Sequence, residues 1–382
     1  MQRLVRWALV AILCWPLAAI GQGVDLIVEK KTFAMPSYTT VAGATIKNVK
    51  IGWEAAGTLN ADKSNAILIT HFFTATSHAF GKYSKDDKAA GYWDYLIGPG
   101  KIVDTNKYYV LSSDTLVNLN VNAPNVVTTG PASINPDTGK PYGMSFPVVS
   151  IKDFVRVQKA LIDSLGIKKL HAVMGASMGA LQAYEWGATY PDAVERIIPV
   201  VGAPAGDPFL IAWLDIWAEP VRLDPNWNGG DYYGKTPPME GLKASLKAIT
   251  VHANHWEWAS KTFGLAPADP AKDPAQAMDN KFKIQATLET IAATRAAAAD
   301  ANSLLYLAKA NQLANVDPSK LKVPTLVLYS PNDLVFYAPY VVEQAAKIAG
   351  AETGELKGAN GHVNGVIGVA QAGDKIRAFL EK

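Results

Sequence analysis

The chain of 382 residues carries a formal net charge of only +2, and 49% of its residues are hydrophobic. This length and composition are typical of a soluble globular protein with one large domain, or one domain with an insertion. A nearly neutral chain without a basic stripe has no electrostatic footprint for nucleic acid or anionic membranes, so we expect neither as a partner.

The N-terminal segment has the pattern of a secretory signal peptide. Arg3 and Arg6 precede the apolar run 8–19, and a small-x-small pattern ends at Gly21. A membrane anchor is the alternative, but the run is short for a span. Removing this segment lowers the 36 basic residues to 34, equal to the 34 acidic ones, and removes the single cysteine, Cys14. We therefore expect a periplasmic or secreted protein without disulfides, cleaved near Gly21.

Strand-like and helix-like segments then alternate along the chain. The strand-like segments are 26–54, 66–70, 108–112, 170–174 and 197–201, and helical segments begin at Ser150, with Asp153 as its capping-box partner, and at Ala180. A long irregular region, 116–147, is rich in Pro, Gly and Asn and is typical of a functional or mobile loop. The alternation predicts a mostly parallel sheet with helices on both faces.

The pattern changes after residue 204. Residues 205–320 look helical, with long pieces at 242–263 and 278–314 separated by a Pro-rich linker. Strand-like sequence resumes at 324–329, and an amphipathic helix closes the chain. We therefore predict a core made of residues 22–204 and 321–382, interrupted by a helical lid at 205–320.

A nucleophile motif lies between a predicted strand and a predicted helix. Gly175, Ser177 and Gly179 form a G-x-S-x-G pattern, and the two glycines would let strand and helix pass closely while the turn exposes the serine. Small residues also recur in ordinary strand-to-helix turns, so the motif needs partners before Ser177 can be called a nucleophile.

Two partners follow in the appropriate order. A serine hydroxyl needs a base to accept its proton, and the base needs a third group to fix its tautomer. His362 lies in a Gly-rich loop, and Asp333 follows the strand-like segment 324–329 directly. Taken singly, the aspartate fits ordinary turn chemistry and the histidine an ordinary loop. The order Ser177, Asp333, His362, with each residue after a strand, predicts the triad of an α/β-hydrolase fold.

The tetrahedral intermediate requires backbone donors for its negative charge. We expect the N–H of Met178, directly after the nucleophile, and the N–H of Phe73, in the loop after an earlier strand, to form the oxyanion hole. His71 is expected to shape that loop. His78 is expected to lie at the surface or in a pocket wall.

A metal site and an aromatic acyl pocket are the alternatives in the lid. His252, His255 and Glu257 lie in a helical segment without an evident further ligand, so we interpret them as lid residues and expect neither a metal nor a cofactor. Several tryptophans could line a pocket, although most aromatic residues of a helical layer are core. They are Trp213, Trp217, Trp227, Trp256 and Trp258.

Longer stretches of the chain identify a family. The mature region resembles the homoserine O-acetyltransferase family of α/β-hydrolases over nearly its whole length. The stretches that carry the resemblance are Gly57–Asn60 (GTLN), Trp93–Asp104 (WDYLIGPGKIVD), Thr129–Pro147 (TGPASINPDTGKPYGMSFP), Gly175–Trp186 (GASMGALQAYEW) and Asp224–Tyr233 (DPNWNGGDYY). The resemblance implies that Ser177 carries an acyl group during a ping-pong transfer, with His362 and Asp333 as its partners.

The chain departs from the biosynthetic members where they hold the amino-acid acceptor. The resemblance implies an arginine six residues before the aspartate of the DPNW block and an aspartate directly after the catalytic histidine. Here these positions are Ala218 and Val363. The family's glycine-rich segment before TGP is replaced by 117–128, and biosynthetic members are cytoplasmic, unlike a protein with a signal peptide.

These features predict an exported serine esterase of the carboxylesterase type that acts on small acyl esters. An O-acyltransferase that keeps an alcohol acceptor is the alternative, and a non-catalytic binding module is a weaker one. The family resemblance also makes a homodimer through the helical lid plausible.

Overall fold

The computed structural model describes residues 26–382, so the expected signal peptide lies outside the described residues. Eight strands form one sheet with the order β1-β2-β4-β3-β5-β6-β7-β8. Their bounds are β1 Lys31–Thr39, β2 Thr45–Ala56, β3 Ala66–Thr70, β4 Tyr109–Ser113, β5 Ala172–Ala176, β6 Ile197–Val200, β7 Leu326–Tyr329 and β8 Glu352–Glu355. Short strand pairs also join Ile97–Gly98 to Val103–Asp104 and Ile134–Asn135 to Lys140–Pro141.

Most of this sheet is parallel, as the alternation of strands and helices predicts. Strand β2 pairs with β1 and with β4 in an antiparallel manner. All further neighbours in the sheet order, from β4 through β3 and β5 to β8, pair in parallel. Every residue of β3 and β5 is buried, because helices cover both faces of a parallel sheet. The carboxyl ends of the parallel strands therefore share one edge, which is where open α/β sheets place their sites.

Ten α-helices accompany the sheet within residues 26–382. Their bounds are α1 Ile151–Ser164, α2 Met178–Thr189, α3 Pro208–Leu223, α4 Met239–Ala253, α5 Trp256–Phe263, α6 Lys283–Ala296, α7 Ala301–Gln312, α8 Ala338–Ala345, α9 Asn364–Ile367 and α10 Gly373–Leu380. The apolar faces of α1 and α2 pack into one core cluster, and the apolar face of α10 packs into a second cluster on the opposite face of the sheet. None of the helices in this range is long and apolar enough to cross a membrane.

The start of α1 shows how a local sequence signal sets an element boundary. The Ser150 N–H donates to Asp153 Oδ2 at 2.7 Å, which is the backward bond of the expected capping box. The helix ends before Gly166, whose φ of +71° suits a residue without a Cβ.

Helices α3 to α7 lie between β6 and β7, where the sequence predicts a helical insertion. Each of the two long predicted pieces is divided in the structure. The first separates into α4 and α5 around Asn254, and the second into α6 and α7. Asp300 caps α7 by accepting the N–H of Ser303 at 2.8 Å, so a new helix begins there. Helix α8 and strand β8 are further elements that the sequence pattern did not delimit, since β8 is polar and only partly buried.

Candidate active site

Ser177 occupies a strained turn between β5 and α2. Its φ of +57° and ψ of −119° are rare for a residue with a side chain. Such strain persists only where the surroundings determine the conformation, and here the Ser177 N–H donates to the Val200 carbonyl at 2.9 Å in the neighbouring strand. The serine is partly exposed although its neighbours on both sides are buried. The turn thus presents the hydroxyl at the carboxyl edge of the sheet.

The two glycines of the motif are required by the close approach of β3. A Cβ on Gly175 would lie 2.0 Å from Thr70 Oγ1, and a Cβ on Gly179 would lie 2.2 Å from the Thr70 carbonyl oxygen. Thr70 Oγ1 also donates to the Gly179 carbonyl at 2.8 Å, which fixes the first turn of α2 against β3. Both glycines are therefore explained by packing, as the motif predicts.

Asp333 and His362 are in direct hydrogen-bond contact. His362 Nδ1–H donates to Asp333 Oδ2 at 2.8 Å, and only 3% of Asp333 and 9% of His362 are exposed. Asp333 Oδ1 accepts the N–H groups of Val335 at 2.8 Å and Phe336 at 3.0 Å, so the carboxylate is fixed on both oxygens. This bond directs the proton of His362 to Nδ1 and leaves Nε2 as the basic nitrogen.

All three sequence-predicted residues lie after parallel strands. Ser177 follows β5, Asp333 follows β7, and His362 lies in a loop after β8. Within residues 26–382 no hydrogen bond joins Ser177 Oγ to His362, a contact that is often long before substrate binds. The His362 loop also contacts the insertion, since a Cβ on Gly361 would lie 3.2 Å from the backbone nitrogen of His255.

The two expected oxyanion donors are available. Among the described residues, neither the Phe73 N–H nor the Met178 N–H donates to another protein group, although Phe73 is 6% exposed and Met178 is fully buried. Buried backbone N–H groups without an acceptor are rare in folded proteins. Two of them, flanking the carboxyl ends of β3 and β5, fit a binding site for developing negative charge.

His71 shapes the loop that carries Phe73, as the sequence predicts. Its ring is completely buried, and Nδ1–H donates to the Phe72 carbonyl at 2.9 Å. Burial lowers the pKa of His71, so the ring is neutral and Nε2 can accept from Thr115 Oγ1 at 3.3 Å. From the other side, Gln182 of α2 donates to the His71 carbonyl at 3.1 Å.

A buried charge cluster holds the far end of the same loop, and sequence reasoning missed it. Lys30 Nζ lies 3.7 Å from Glu54 and 3.5 Å from Asp114, and it also donates to the Ser77 hydroxyl. Asp114 Oδ1 accepts the Ser77 N–H at 2.9 Å. His78 pairs with Glu54 at 3.0 Å, so it belongs to this cluster and not to an open surface. These residues are far apart in sequence, and no local pattern links Lys30 to Glu54 or Asp114.

In the lid, His252 serves a structural contact. Its Nε2–H donates to the carbonyl of Leu334, the residue after Asp333, at 2.8 Å, and its ring stacks on Trp213 with centroids 4.1 Å apart. Burial lowers the pKa of His252 to about 4, so the ring is neutral at pH 7. The described residues contain no group of three or more His, Cys, Asp or Glu side chains placed to hold a metal.

The tryptophans of the insertion have different environments. Trp217 is buried, and its ring packs edge-on against the ring of Phe73 with centroids 5.7 Å apart. Trp217 therefore packs directly on the loop after β3 that carries Phe73, which we call the oxyanion loop. Trp256, by contrast, is 67% exposed. Of the five candidates for a pocket wall, Trp217 is therefore the one with direct contact to a proposed site residue.

Comparison with known proteins identifies the family. A family model described as "alpha/beta hydrolase fold" matches residues 121–366. A homoserine O-acetyltransferase of Methanosphaerula palustris is 39% identical over 89% of this chain and 70% of its own length. The chain belongs to the homoserine O-acetyltransferase family of α/β-hydrolases. A homoserine O-acetyltransferase of Methanococcus vannielii is 42% identical, but the match spans only 56% of that longer protein.

Two solved structures superpose closely on the chain. The crystal structure of esterase E22 has a TM-score of 0.88 and 47% identity, and it covers 93% of this chain and all of its own. The homoserine O-acetyltransferase from Bacillus anthracis has the same TM-score with 36% identity, covering 94% and 98% of the two chains. A protein named esterase and one named homoserine O-acetyltransferase thus share the scaffold of this chain, and together with the curated relatives they confirm the fold and the enzyme class.

Proposed function

We propose that this protein is a serine esterase that hydrolyses small acyl esters through an acyl-Ser177 intermediate. The observation that carries the proposal is the buried Asp333–His362 pair, which lies at the same sheet edge as the strained Ser177 turn. Two free backbone donors lie at that edge as well. This combination provides a nucleophile, an oriented base and an oxyanion site.

In the first half-reaction, Ser177 Oγ attacks the ester carbonyl carbon and its proton passes to His362 Nε2. The carbonyl oxygen becomes an oxyanion that accepts hydrogen bonds from the Phe73 and Met178 N–H groups. Removing one such donor in comparable sites costs about 3 kcal/mol of transition-state stabilisation. When the intermediate collapses, the ester C–O bond breaks and the leaving alcohol takes the proton from His362.

In the second half-reaction, water gives its proton to His362 Nε2 and attacks the acyl carbon. Collapse releases the carboxylic acid and returns the proton to Ser177 Oγ. An alcohol in place of water yields a new ester by the same steps, so hydrolysis and transfer from one acyl-serine differ only in the acceptor.

Two observations support water as the acceptor. Esterase E22 is 47% identical over nearly the whole chain, a higher identity than that of the curated acetyltransferases in the comparison. In addition, the positions at which the family resemblance implies charged anchors for an amino-acid acceptor hold Ala218 and Val363. An apolar side chain at each position provides no electrostatic attraction for the carboxylate or ammonium group of homoserine.

O-acyl transfer to an alcohol is the second candidate function. The curated relatives that match most of this chain are named homoserine O-acetyltransferase, and those names favour transfer over exported ester hydrolysis. In that case the same acyl-serine forms from a thioester or ester donor, and the insertion contains the acceptor site. Export and the periplasmic or extracellular location remain part of the esterase proposal.

The partition of the acyl-enzyme separates the two candidates. Purified protein is given 4-nitrophenyl acetate with and without homoserine, and acetate and O-acetylhomoserine are both quantified. The esterase proposal expects acetate as the main product at all homoserine concentrations. Faster formation of O-acetylhomoserine than of acetate, from this ester or from acetyl-CoA, would overturn it.

Labelling by a fluorophosphonate probe tests the nucleophile independently. We expect the wild type to be labelled and Ser177→Ala to remain unlabelled while folding normally. Equal labelling of the two proteins would show that another residue reacts with the probe, and no labelling of the wild type would favour a binding module. Either result would contradict the acyl-Ser177 mechanism.

A further inference from the structure

A guanidinium lies between the insertion and the oxyanion loop. Arg295 is in the last turn of α6, and its side chain reaches out of the insertion to Thr74. One terminal nitrogen donates to Thr74 Oγ1 at 2.7 Å, and the other donates to Thr250 Oγ1 of α4 at 3.2 Å. The side chain is only partly exposed.

This positive charge lacks a matching negative charge. Among residues 26–382, no aspartate or glutamate forms an ion pair with Arg295, and its two hydrogen-bond acceptors are neutral hydroxyls. Burial lowers the pKa of Arg295, with no acidic group acting in the opposite direction. Removing a cation from water without a counter-charge is costly, so such a group is unusual unless it meets an anion during function.

Arg295 contacts segments that neighbour the proposed reacting groups. Thr74 directly follows Phe73, whose N–H is a proposed oxyanion donor. Thr250 is two residues before His252, which contacts the residue after Asp333. The guanidinium therefore lies between the segment that binds the oxyanion and the segment that supports the Asp333 loop.

A purely structural clamp between the loop and the insertion does not explain the charge. Two hydroxyl acceptors can be held by a neutral amide, which costs less to bury than a guanidinium. A planar guanidinium has further N–H groups beyond the two in use here, and its geometry matches a carboxylate in a bidentate manner. The chemistry of the side chain thus points to an anionic ligand.

We propose that Arg295 binds a carboxylate of the substrate and makes the enzyme selective for esters that carry a free carboxylate close to the scissile bond. This inference rests on the proposed ester hydrolysis and specifies its substrate class. It differs from recognition of homoserine, because Val363 provides no partner for an ammonium group. The expected substrate is therefore a half-ester of a dicarboxylic acid or an acylated hydroxy acid, without an amino group.

Two matched ester pairs test the proposal and locate the carboxylate. On the acyl side, monomethyl succinate is compared with methyl 4-oxopentanoate, whose methyl ketone replaces the carboxylate without charge. On the alcohol side, 4-acetoxybutanoate is compared with 5-acetoxypentan-2-one. The ratio of kcat/KM within each pair is measured by pH-stat for the wild type, Arg295→Gln and Arg295→Lys. Arg222→Gln, an exposed arginine of α3, is the control.

We expect the wild type to prefer the carboxylate ester in at least one pair. Arg295→Gln should lower that preference about 10-fold to 100-fold, mainly through KM, as for loss of a charged hydrogen bond. Arg295→Lys should retain part of the preference, and Arg222→Gln all of it. A preference for the neutral ester in both pairs would overturn the proposal. If Arg295→Gln lowers kcat/KM equally for both esters of a pair, the proposal is also overturned. Arg295 would then only hold the loop and the insertion together.

A different result would show that the proposed ester hydrolysis itself is wrong. If the wild type hydrolyses none of the four esters, the esterase proposal fails first. If it hydrolyses the neutral esters at least as well as the charged ones, the esterase proposal stands and the role of Arg295 is wrong. Thermal unfolding of each variant identifies any variant that does not fold. The kcat/KM ratios of the wild type test the proposal even if a variant is lost in this way.

Discussion

The carboxyl edge of the sheet and the helical insertion contribute different parts of the site. At the sheet edge, backbone N–H bonds fix Ser177 and Asp333, and Phe73 is held by close packing. The insertion contributes side chains such as Trp217 and Arg295, which reach the oxyanion loop from separate helices. In the proposed reaction, the sheet edge provides the groups that form the acyl-serine, and the insertion provides side chains that could select a substrate or acceptor. This division explains how one scaffold carries both esterases and acetyltransferases.

The largest effect is expected at the sheet edge, from Asp333→Asn. The amide Oδ1 can still accept the Val335 and Phe336 N–H groups, but the amide nitrogen next to His362 favours the wrong tautomer. Loss of this orientation costs about 10⁴-fold in kcat in comparable triads. Hydrolysis of 4-nitrophenyl acetate measures the effect, and thermal unfolding should show a folded protein. A loss below tenfold would contradict the assignment of Asp333.

The second expected effect is on stability, from Gly175→Ala. The added methyl group would meet Thr70 Oγ1 at 2.0 Å, so β3 and β5 must separate. Overpacking of this kind costs about 3 kcal/mol in the free energy of unfolding. Gly206→Ala is the matched control, because its Cβ would lie 3.7 Å from Leu210. Urea unfolding of both variants tests the comparison, and equal stabilities would show that the strands are not tightly packed at the turn.

A third prediction concerns the acceptor. Val363→Asp places a carboxylate directly after His362, where it can attract the ammonium group of an amino-acid alcohol. We expect the ratio of acetyl transfer to homoserine over hydrolysis to rise by about 10-fold, as for one charged contact. Val363→Asn is the neutral control. No change in this product ratio would mean that position 363 does not select the acceptor.

A fourth effect, on the pH dependence of stability, is expected from His252→Gln, which removes a group that folding keeps neutral. Because the pKa of His252 is lowered to about 4, the unfolded chain binds a proton at higher pH than the folded protein does. Its contribution to stability is present above about pH 6.5 and is lost as the pH falls towards 4. The variant should therefore lose less stability between pH 6.5 and 4 than the wild type.

Denaturant unfolding at several pH values measures the slope of the unfolding free energy against pH. The slope should be reduced and not abolished, because burial also lowers the pKa values of His71 and His171. An unchanged slope would show that His252 is not protected from protonation.

Much of the site was predictable because its residues follow strands. Ser177 lies in a motif with a local geometric requirement, and the order of Asp333 and His362 reflects the order of strands in the sheet. The packing of Gly175 and Gly179 against Thr70 agrees with the structural reason for that motif. The insertion was predicted only as helical, and its long pieces were divided differently in the structure.

Local sequence therefore determined the parallel sheet, the family and the order of the candidate triad, since strand ends, turns and caps depend on neighbouring residues. Only the tertiary structure decided the surroundings of the site. The anchoring of the oxyanion loop by Lys30 and Asp114 and the position of Arg295 beside Thr74 join segments that are distant in the chain. No local pattern distinguishes Arg295 from an ordinary cation in the last turn of a helix, because its neighbours are set by how the insertion packs over the sheet.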